Sequence, residues 1–359
     1  MSENETTPAR PATNGVNGHE TQAQAPVERV ARVLMPTVDT DEDEEEEEEA
    51  EEGEEGDPLA DLPDDTEDVN LIHSRLSSLD NLHLERFAAH LQRLCLRQNF
   101  IATLNPDVFS LLTHLEELDL YDNKIKDVGD ALNTLSNLSI LDLSFNLLKS
   151  VPETLEHLTS LRTVYFVQNR ISKITGLQSV GSTLRSLELG GNRIREIENL
   201  NALVNLEELW LGKNKITKLQ NLSPLKNLKI LALQSNRVRK IEGLEELENL
   251  EELYLSHNGV ERLENLEHNL KLTTLDAGNN FIPAIENLSH LTCLTELWIN
   301  HNKIPHLHDV ERELGALPLE TIYLEGNPCQ RAEGTSYRRK IMLALPNIKQ
   351  IDATYTRAN

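Results

Sequence analysis

Eleven asparagines recur along this chain at nearly equal intervals: Asn99, Asn123, Asn146, Asn169, Asn192, Asn214, Asn236, Asn258, Asn280, Asn302 and Asn327. The gaps are 24, 23, 23, 23, 22, 22, 22, 22, 22 and 25 residues. Around each stands some version of L-x-x-L-x-L-x-x-N-x-I/L. A pattern of this period describes one structural unit stacked many times, because a single unit cannot bury its apolar face alone. Chain length therefore says little about domain count: a solenoid grows by addition, not by enlarging one core.

The unit is a leucine-rich repeat, and its physics predicts an α/β-class solenoid. The x-L-x-L-x segment alternates, so its leucines point inward and the residues between them point out. These segments form a curved parallel sheet on the concave face. The asparagine amide bonds the backbone where the chain bends out of the strand, replacing bonds that the bend removes. Ile194, Ile197 and Leu200 exemplify the apolar positions that close the core from the convex side. A 22-residue period leaves no room there for a long helix, so 3-10 turns or extended segments are expected. With parallel strands about 4.8 Å apart, about twelve repeats over residues 67–327 give a strand face roughly 50 Å long.

The first repeat is degenerate. Val69 and Leu71 fit the strand leucines, Ser74 takes the asparagine place, and Leu76 and Leu79 follow. Leu82, Leu84, Phe87 and Leu91 read as a helical insert that covers the amino-terminal edge. Residues 328–359 read as a carboxy-terminal cap. Within it, Tyr337–Leu345 is expected to be an amphipathic helix with Ile341 and Leu345 on one face, and Pro346, Ile348 and Ile351 form a last apolar edge.

Charge is unevenly distributed. Residues 1–68 carry 24 acidic and 3 basic side chains, whereas the rest of the chain is nearly balanced. Residues 1–66 are low in complexity, with a run of Asp and Glu from Asp41 to Asp57, and are expected to be disordered. Thr7, before Pro8, and Thr6 beside it are candidate phosphorylation sites in that tail. No basic footprint points to nucleic acid, and no apolar run is long enough to cross a membrane. Cys95, Cys293 and Cys329 form neither a disulfide framework nor a zinc spacing. With no apolar leader at the start of the chain, a reducing interior, nucleus and cytoplasm, is the expected location. His301, His306 and His308 cluster near one turn without metal spacing and read as a surface loop. No nucleotide loop or nucleophile elbow is present. Carboxylates on an open sheet should stay hydrated and lack raised pKa values. No enzyme activity and no cofactor are expected.

Function should lie in positions that the repeat does not dictate. The residue after the first strand leucine faces the concave side. Along the array it reads Asp119, Asp142, Tyr165, Glu188, Trp210, Ala232, Tyr254, Asp276, Trp298 and Tyr323. Two residues earlier stand Glu117, Thr163, Ser186, Glu208, Glu252, Thr274 and Glu296. Five aromatics in ten positions, in a chain that is 4% aromatic, exceed what exposed strands need. Large rigid rings flanked by carboxylates are the makeup of a binding hot spot for a basic or mixed partner surface. A scaffold that works through its convex or edge surface, and a nuclear-export or RNA-associated adaptor, remain open on these residues alone.

The uniform repeats, such as NLEELWLGKNKITKLQNL, together with NPCQ…YRRKIMLALPNIKQIDA, resemble the SDS22 family, the leucine-rich-repeat regulatory subunit 7 of protein phosphatase 1. The resemblance covers roughly residues 66–359. It implies that the concave face binds the phosphatase catalytic subunit and controls its activity, maturation or location, and a third protein can join the complex. It implies nuclear location and a cell-cycle role. It implies contact residues at Asp142, Tyr165, Glu188, Trp210, Asp276, Glu296, Trp298 and Tyr323, with Asp119, Glu208, Glu252 and Tyr254 as additional candidates. Tyr165 and Trp210 stand where the family often has Phe, and both keep a ring. The chain lacks an [RK]-V-x-F docking peptide, since Arg32-Val33-Leu34-Met35 has no aromatic. The alternative reading is an adaptor for another protein, a cytoskeletal or ciliary component such as a tubulin or dynein partner.

Overall fold

The computed structural model describes residues 58–356. The acidic run, Thr6, Thr7 and the Arg32–Met35 stretch lie outside the described residues.

Each repeat contributes one three-residue strand. In chain order these are β1 (Asp68–Asn70), β2 (Arg93–Cys95), β3 (Glu117–Asp119), β4 (Ile140–Asp142), β5 (Thr163–Tyr165) and β6 (Ser186–Glu188). The series continues with β7 (Glu208–Trp210), β8 (Ile230–Ala232), β9 (Glu252–Tyr254), β10 (Thr274–Asp276), β11 (Glu296–Trp298) and β12 (Thr321–Tyr323). Two short strands end the sheet, β13 (Gln350–Ile351) and β14 (Thr354–Tyr355). The sheet has 14 strands in sequence order. All neighbours pair in parallel except β13 with β14, which is antiparallel. The architecture is the expected solenoid: a curved parallel sheet, helical and 3-10 elements on the convex side, and a helical cap.

Repeat length decides what the convex side can hold. The 24-residue interval ending at Asn123 accommodates α1 (Pro106–Phe109). A 23-residue interval holds the 3-10 turn Glu153–His157. The 25-residue interval ending at Asn327 holds α2 (His308–Leu314). In the 22-residue repeats between Asn192 and Asn302 the convex side is turns alone. Leu, Ile and Val from every unit merge into one continuous buried core; Ile194, Ile197 and Leu200 are fully buried.

The asparagines form the ladder that couples one repeat to the next. The Asn192 amide nitrogen donates to the carbonyls of Leu189 and Gly190 in its own turn at 3.0 and 3.2 Å. It also donates to the carbonyl of Phe166 in the preceding repeat at 2.8 Å, and its oxygen accepts the Ile171 N–H at 2.9 Å. The same four bonds recur at Asn214. A second file on the convex side, not foreseen from sequence, comprises Asn199, Asn221, Asn265 and Asn287, each at φ 59. Their amides donate to Ile174, Ile197, Ile241 and Leu263 of the preceding repeat at 2.6 to 2.8 Å. Gly243 takes the same place in the remaining 22-residue unit at φ 70. There a Cβ would meet the Leu219 carbonyl oxygen at 3.0 Å. Asn192→Ala should strand a buried N–H and several carbonyls, and we expect a loss of about 3 kcal/mol of unfolding free energy. Urea titration of the purified chain would measure it.

Both ends of the core are covered. At the amino end the 3-10 turn Leu84–Phe87 lies in the expected insert, and Leu82, Leu84, Phe87 and Leu91 are all buried. Residues 58–66, grouped with the tail on composition, belong instead to this cover. Leu59 is 2% exposed and lies in the core, and Arg86 reaches Asp64 at 2.9 Å and the Leu62 carbonyl. A few apolar side chains anchor a stretch whose acidity had hidden it. At the carboxyl end α3 (Pro328–Glu333) starts on the Asn327 cap, and α4 (Tyr337–Ala344) buries Tyr337 and Ile341. Leu345 falls just past the end of α4 and is buried with them.

Candidate functional site

Alternation within each strand puts the middle residue in the core and the outer two on the concave face. In β7, Leu209 is buried while Glu208 and Trp210 are half-buried. The parallel register then aligns Asp119, Asp142, Tyr165, Glu188, Trp210, Ala232, Tyr254, Asp276, Trp298 and Tyr323 in one file. Glu208, Glu252 and Glu296 fall in the file beside it. The candidate residues therefore share one surface.

Four rings of that file touch. Trp210 and Tyr254 lie nearly parallel with centroids 6.2 Å apart. Tyr254 meets Trp298 edge-on at 6.3 Å, and Trp298 meets Tyr323 edge-on at 5.8 Å. Neighbouring strands are only about 4.8 Å apart, and a small or short residue stands between the first three rings. The rings reach over Ala232 and Asp276, which are 1% and 6% exposed. Tyr254 thus sits at the centre of the stack. Its hydroxyl donates to Glu252 at 2.6 Å, and burial first, then that carboxylate, holds its pKa well above the usual tyrosine range. Tyr323 is tied to the cap, its hydroxyl accepting from Gln350 at 2.6 Å. The indole N–H groups of Trp210 and Trp298 are buried without a partner among the described residues. Tyr165 and Glu188 stand half-buried in β5 and β6, on the amino-terminal side of Trp210.

The carboxylates are less hydrated than an open sheet suggests. Burial pushes the Asp142, Asp276 and Glu296 carboxyls above their ordinary pKa values. For Glu296 the nearby Glu252 and Glu320 add to it. The expectation of ordinary, fully solvated carboxylates fails because burial on the curved face, and at Asp276 the rings on either side, remove water. Asp119, Asp142 and Asp276 also hold the turn after their strands, each accepting the amide two residues on: Tyr121, Ser144 and Gly278, at 3.0, 2.8 and 3.0 Å. Asp119 is further engaged by Arg97 at 2.9 Å, with Asp142 at 3.9 Å from the same nitrogen. Glu208 accepts from the Ser186 hydroxyl at 3.0 Å.

One cluster escaped the sequence reading. The Arg97 guanidinium lies over the Tyr121 ring at 4.0 Å, and Tyr121 packs on Phe145 at 4.8 Å. Phe145 is 41% exposed. Arg97 and Tyr121 follow the outward file by two residues, and Phe145 by three. The sequence signal was an arginine and two aromatics just past the strand window. Among the described residues no His, Cys, Asp or Glu cluster is arranged to hold a metal.

The family model for leucine rich repeats (2 copies) matches residues 182–224 and 226–268. The chain is 50% identical over 73 residues to the protein phosphatase 1 regulatory subunit SDS22 of Saccharomyces cerevisiae, covering 20% of this chain and 21% of that protein. It is 59% identical over 49 residues to protein phosphatase 1 regulatory subunit 7 of Bos taurus, covering 14% of this chain and 13% of that one. The human protein of the same name is 55% identical over 49 residues, 14% and 13% of the two chains. The matched stretch thus spans about a fifth or less of the length of these curated relatives. Among solved structures, an internalin from Listeria monocytogenes superposes with a TM-score of 0.62 at 23% identity, covering 82% of this chain and 87% of that one. The leucine-rich repeat domain of APL1B gives a TM-score of 0.61 at 21% identity, covering 82% and 90%. These structures show the fold alone. The chain is a leucine-rich-repeat protein related, over a small part of its length, to the phosphatase regulatory subunits.

Proposed function

We propose that this chain is a non-catalytic regulatory subunit that captures the catalytic subunit of protein phosphatase 1 on its concave face. The observation that carries the reading is the stack Trp210–Tyr254–Trp298–Tyr323 flanked by Glu252 and Glu296. The local identity to named phosphatase regulatory subunits supports the choice of partner. The rings offer a rigid apolar platform that is already ordered, so docking immobilises few side chains. Asp276 and Glu296 supply anionic positions for Lys or Arg of the partner, and Tyr165, Glu188 and Asp142 extend the contact toward the amino end.

The raised carboxyls give this reading a pH signature. A cationic partner needs Asp142, Asp276 and Glu296 ionised, yet in the free chain burial makes them take up protons at higher pH than ordinary carboxylates. Affinity should therefore start to fall, on acidification, above the ordinary carboxylate range, and binding should release protons. Stability moves the other way. A carboxyl whose pKa is raised in the folded state favours folding when protonated, and that contribution is lost as pH rises through the folded pKa. Acidification through this window should weaken capture while these groups stabilise the solenoid. Calorimetry in two buffers of different ionisation enthalpy, beside thermal melts, separates the two.

The direct experiment is copurification and binding of the phosphatase catalytic subunit with the full chain. Recovery of a tubulin or dynein component instead, with no phosphatase binding, would overturn the assignment. Control of the phosphatase's activity, maturation or location, a third protein joining the complex, and residence in nucleus and cytoplasm belong to the same proposal.

A further inference from the structure

Each residue before a ladder asparagine, from Gln98 to Gly326, has a left-handed backbone, with φ between 52 and 73. Glycine and small polar side chains suit that region, and a bulky ring does not. All of these positions carry glycine or a polar side chain except one, Phe145, at φ 55. Its ring is 41% exposed. An aromatic loses twice here: it strains the backbone and leaves its ring in water. Packing on Tyr121 at 4.8 Å orients the ring without burying it. Backbone strain of this kind gathers at ligand clamps, where the position serves something other than the fold.

The neighbours of Phe145 indicate what its ring would meet. On the adjacent ring, Tyr121, the Arg97 guanidinium lies at 4.0 Å and bonds the Asp119 carboxylate at 2.9 Å. The chain thus already holds one guanidinium between a ring and an acid. At Phe145 the ring and the acid are present without the cation. Asp122 fills the place of Phe145 in the preceding repeat, and its N–H donates to the Ser144 carbonyl at 2.9 Å. That bond sets the two side chains on neighbouring turns, about 4.8 Å apart. Asp122 is half-buried and makes no ion pair with any described residue; Lys124, two residues further along, is exposed and likewise makes none. Asp122, Asp142 and Asp119 all act on Tyr121 against the one guanidinium of Arg97. Val167, whose carbonyl accepts the Phe145 N–H at 2.7 Å, is half-buried and adds an apolar margin.

We propose that Phe145 and Asp122 form a docking site for an arginine side chain, carried by an extended segment of a partner protein. The site lies in the turns past the strands, outside the concave file, and does not rest on the phosphatase reading. A guanidinium is planar, so it can stack on the Phe145 ring and bond the Asp122 carboxylate at once. A lysine ammonium is a more strongly hydrated point charge and fits such a pair less well. An acidic segment or a nucleic acid would be repelled by the surrounding carboxylates. An apolar residue next to the arginine would cover Val167.

A fluorescein-labelled peptide Ser-Gly-Arg-Leu-Gly-Ser tests the proposal by anisotropy with the full chain. Saturable binding that weakens with added salt is expected. Phe145→Asn should weaken it about fivefold or more, and Asp122→Asn about threefold or more. The asparagine variant should fold, because Asn279 holds the same place at φ 54. Circular dichroism checks this, and Phe145→Leu, which keeps apolar bulk without the ring, serves if it misfolds. Phe145→Tyr restores a ring and should bind at parental affinity, and Trp298→Ala in the concave stack should change nothing. A peptide with lysine in place of arginine should bind several-fold more weakly; equal or tighter binding of it would overturn the choice of a guanidinium. No saturable binding, binding indifferent to both Phe145→Asn and Phe145→Leu, or binding lost in Trp298→Ala would each overturn the site. Phe145→Asn should still capture the phosphatase catalytic subunit at parental affinity; loss of that capture would overturn the independence of the two surfaces.

Discussion

Trp298→Ala should weaken capture of the phosphatase catalytic subunit about 30-fold or more, or about 2 kcal/mol. Trp298, like Tyr254, has ring neighbours on both sides, here Tyr254 and Tyr323, and it also borders Glu296 in its own strand. Removing it deletes contact area and frees both neighbours to move. Glu296→Ala should cost less, because the free carboxylate is already disfavoured by burial and by Glu252 and Glu320. Trp210→Ala should also weaken binding, and its effect should not add simply to that of Trp298→Ala. Tyr254 touches both indoles, and residues that share a neighbour couple. Binding measured by calorimetry, with folding checked by circular dichroism, decides the matter. Unchanged affinity in both Trp298→Ala and Glu296→Ala would sink the concave-face assignment.

Asp352→Ala is expected to cost about 3 kcal/mol or more of stability, for a reason peculiar to the last repeat. In interior repeats the first amide past each strand donates to the next strand: Ala277 to Trp298 and Ile299 to Tyr323, both at 2.7 Å. Leu324 has no such strand carbonyl to meet. The Asp352 carboxylate takes that amide at 2.8 Å and the Glu325 amide at 3.0 Å. The Tyr337 hydroxyl also reaches it, at 3.4 Å. At 8% exposed, Asp352 acts as a surrogate for the missing strand. Alanine would leave two backbone donors unpaired at the open end of the sheet. Asp352→Asn keeps an acceptor and should recover much of the loss. Urea unfolding of the two variants gives the comparison, and equal stability of Asp352→Ala and the parent would refute the surrogate role.

The period of the asparagines made the strands, their inward leucines and the outward file legible, because each depends on residues within one unit. What lay hidden depends on relations between units. The sequence shows Tyr254 as one aromatic among five, but not that it bridges two tryptophans across buried Ala232 and Asp276. It shows carboxylates, but not that burial dries Asp142, Asp276 and Glu296. It shows Asn199, Asn221, Asn265 and Asn287, but their left-handed backbone and cross-repeat bonds emerge only once the units stack. The amino-terminal cover was misjudged because acidity dominates the composition of residues 58–66, whereas one buried leucine, Leu59, decides their placement.

The spacing of the rings imposes a parity on the array. From Trp210 through Tyr254 to Trp298 the bulky side chains occupy every other strand, with Ala232 and Asp276 between them, whereas Trp298 and Tyr323 stand on neighbouring strands. Duplication or loss of a single unit between β7 and β11 would break that alternation. Copies gained or shed two at a time would preserve it. In this stretch the repeat number can therefore drift only in even steps if the alternation is to survive.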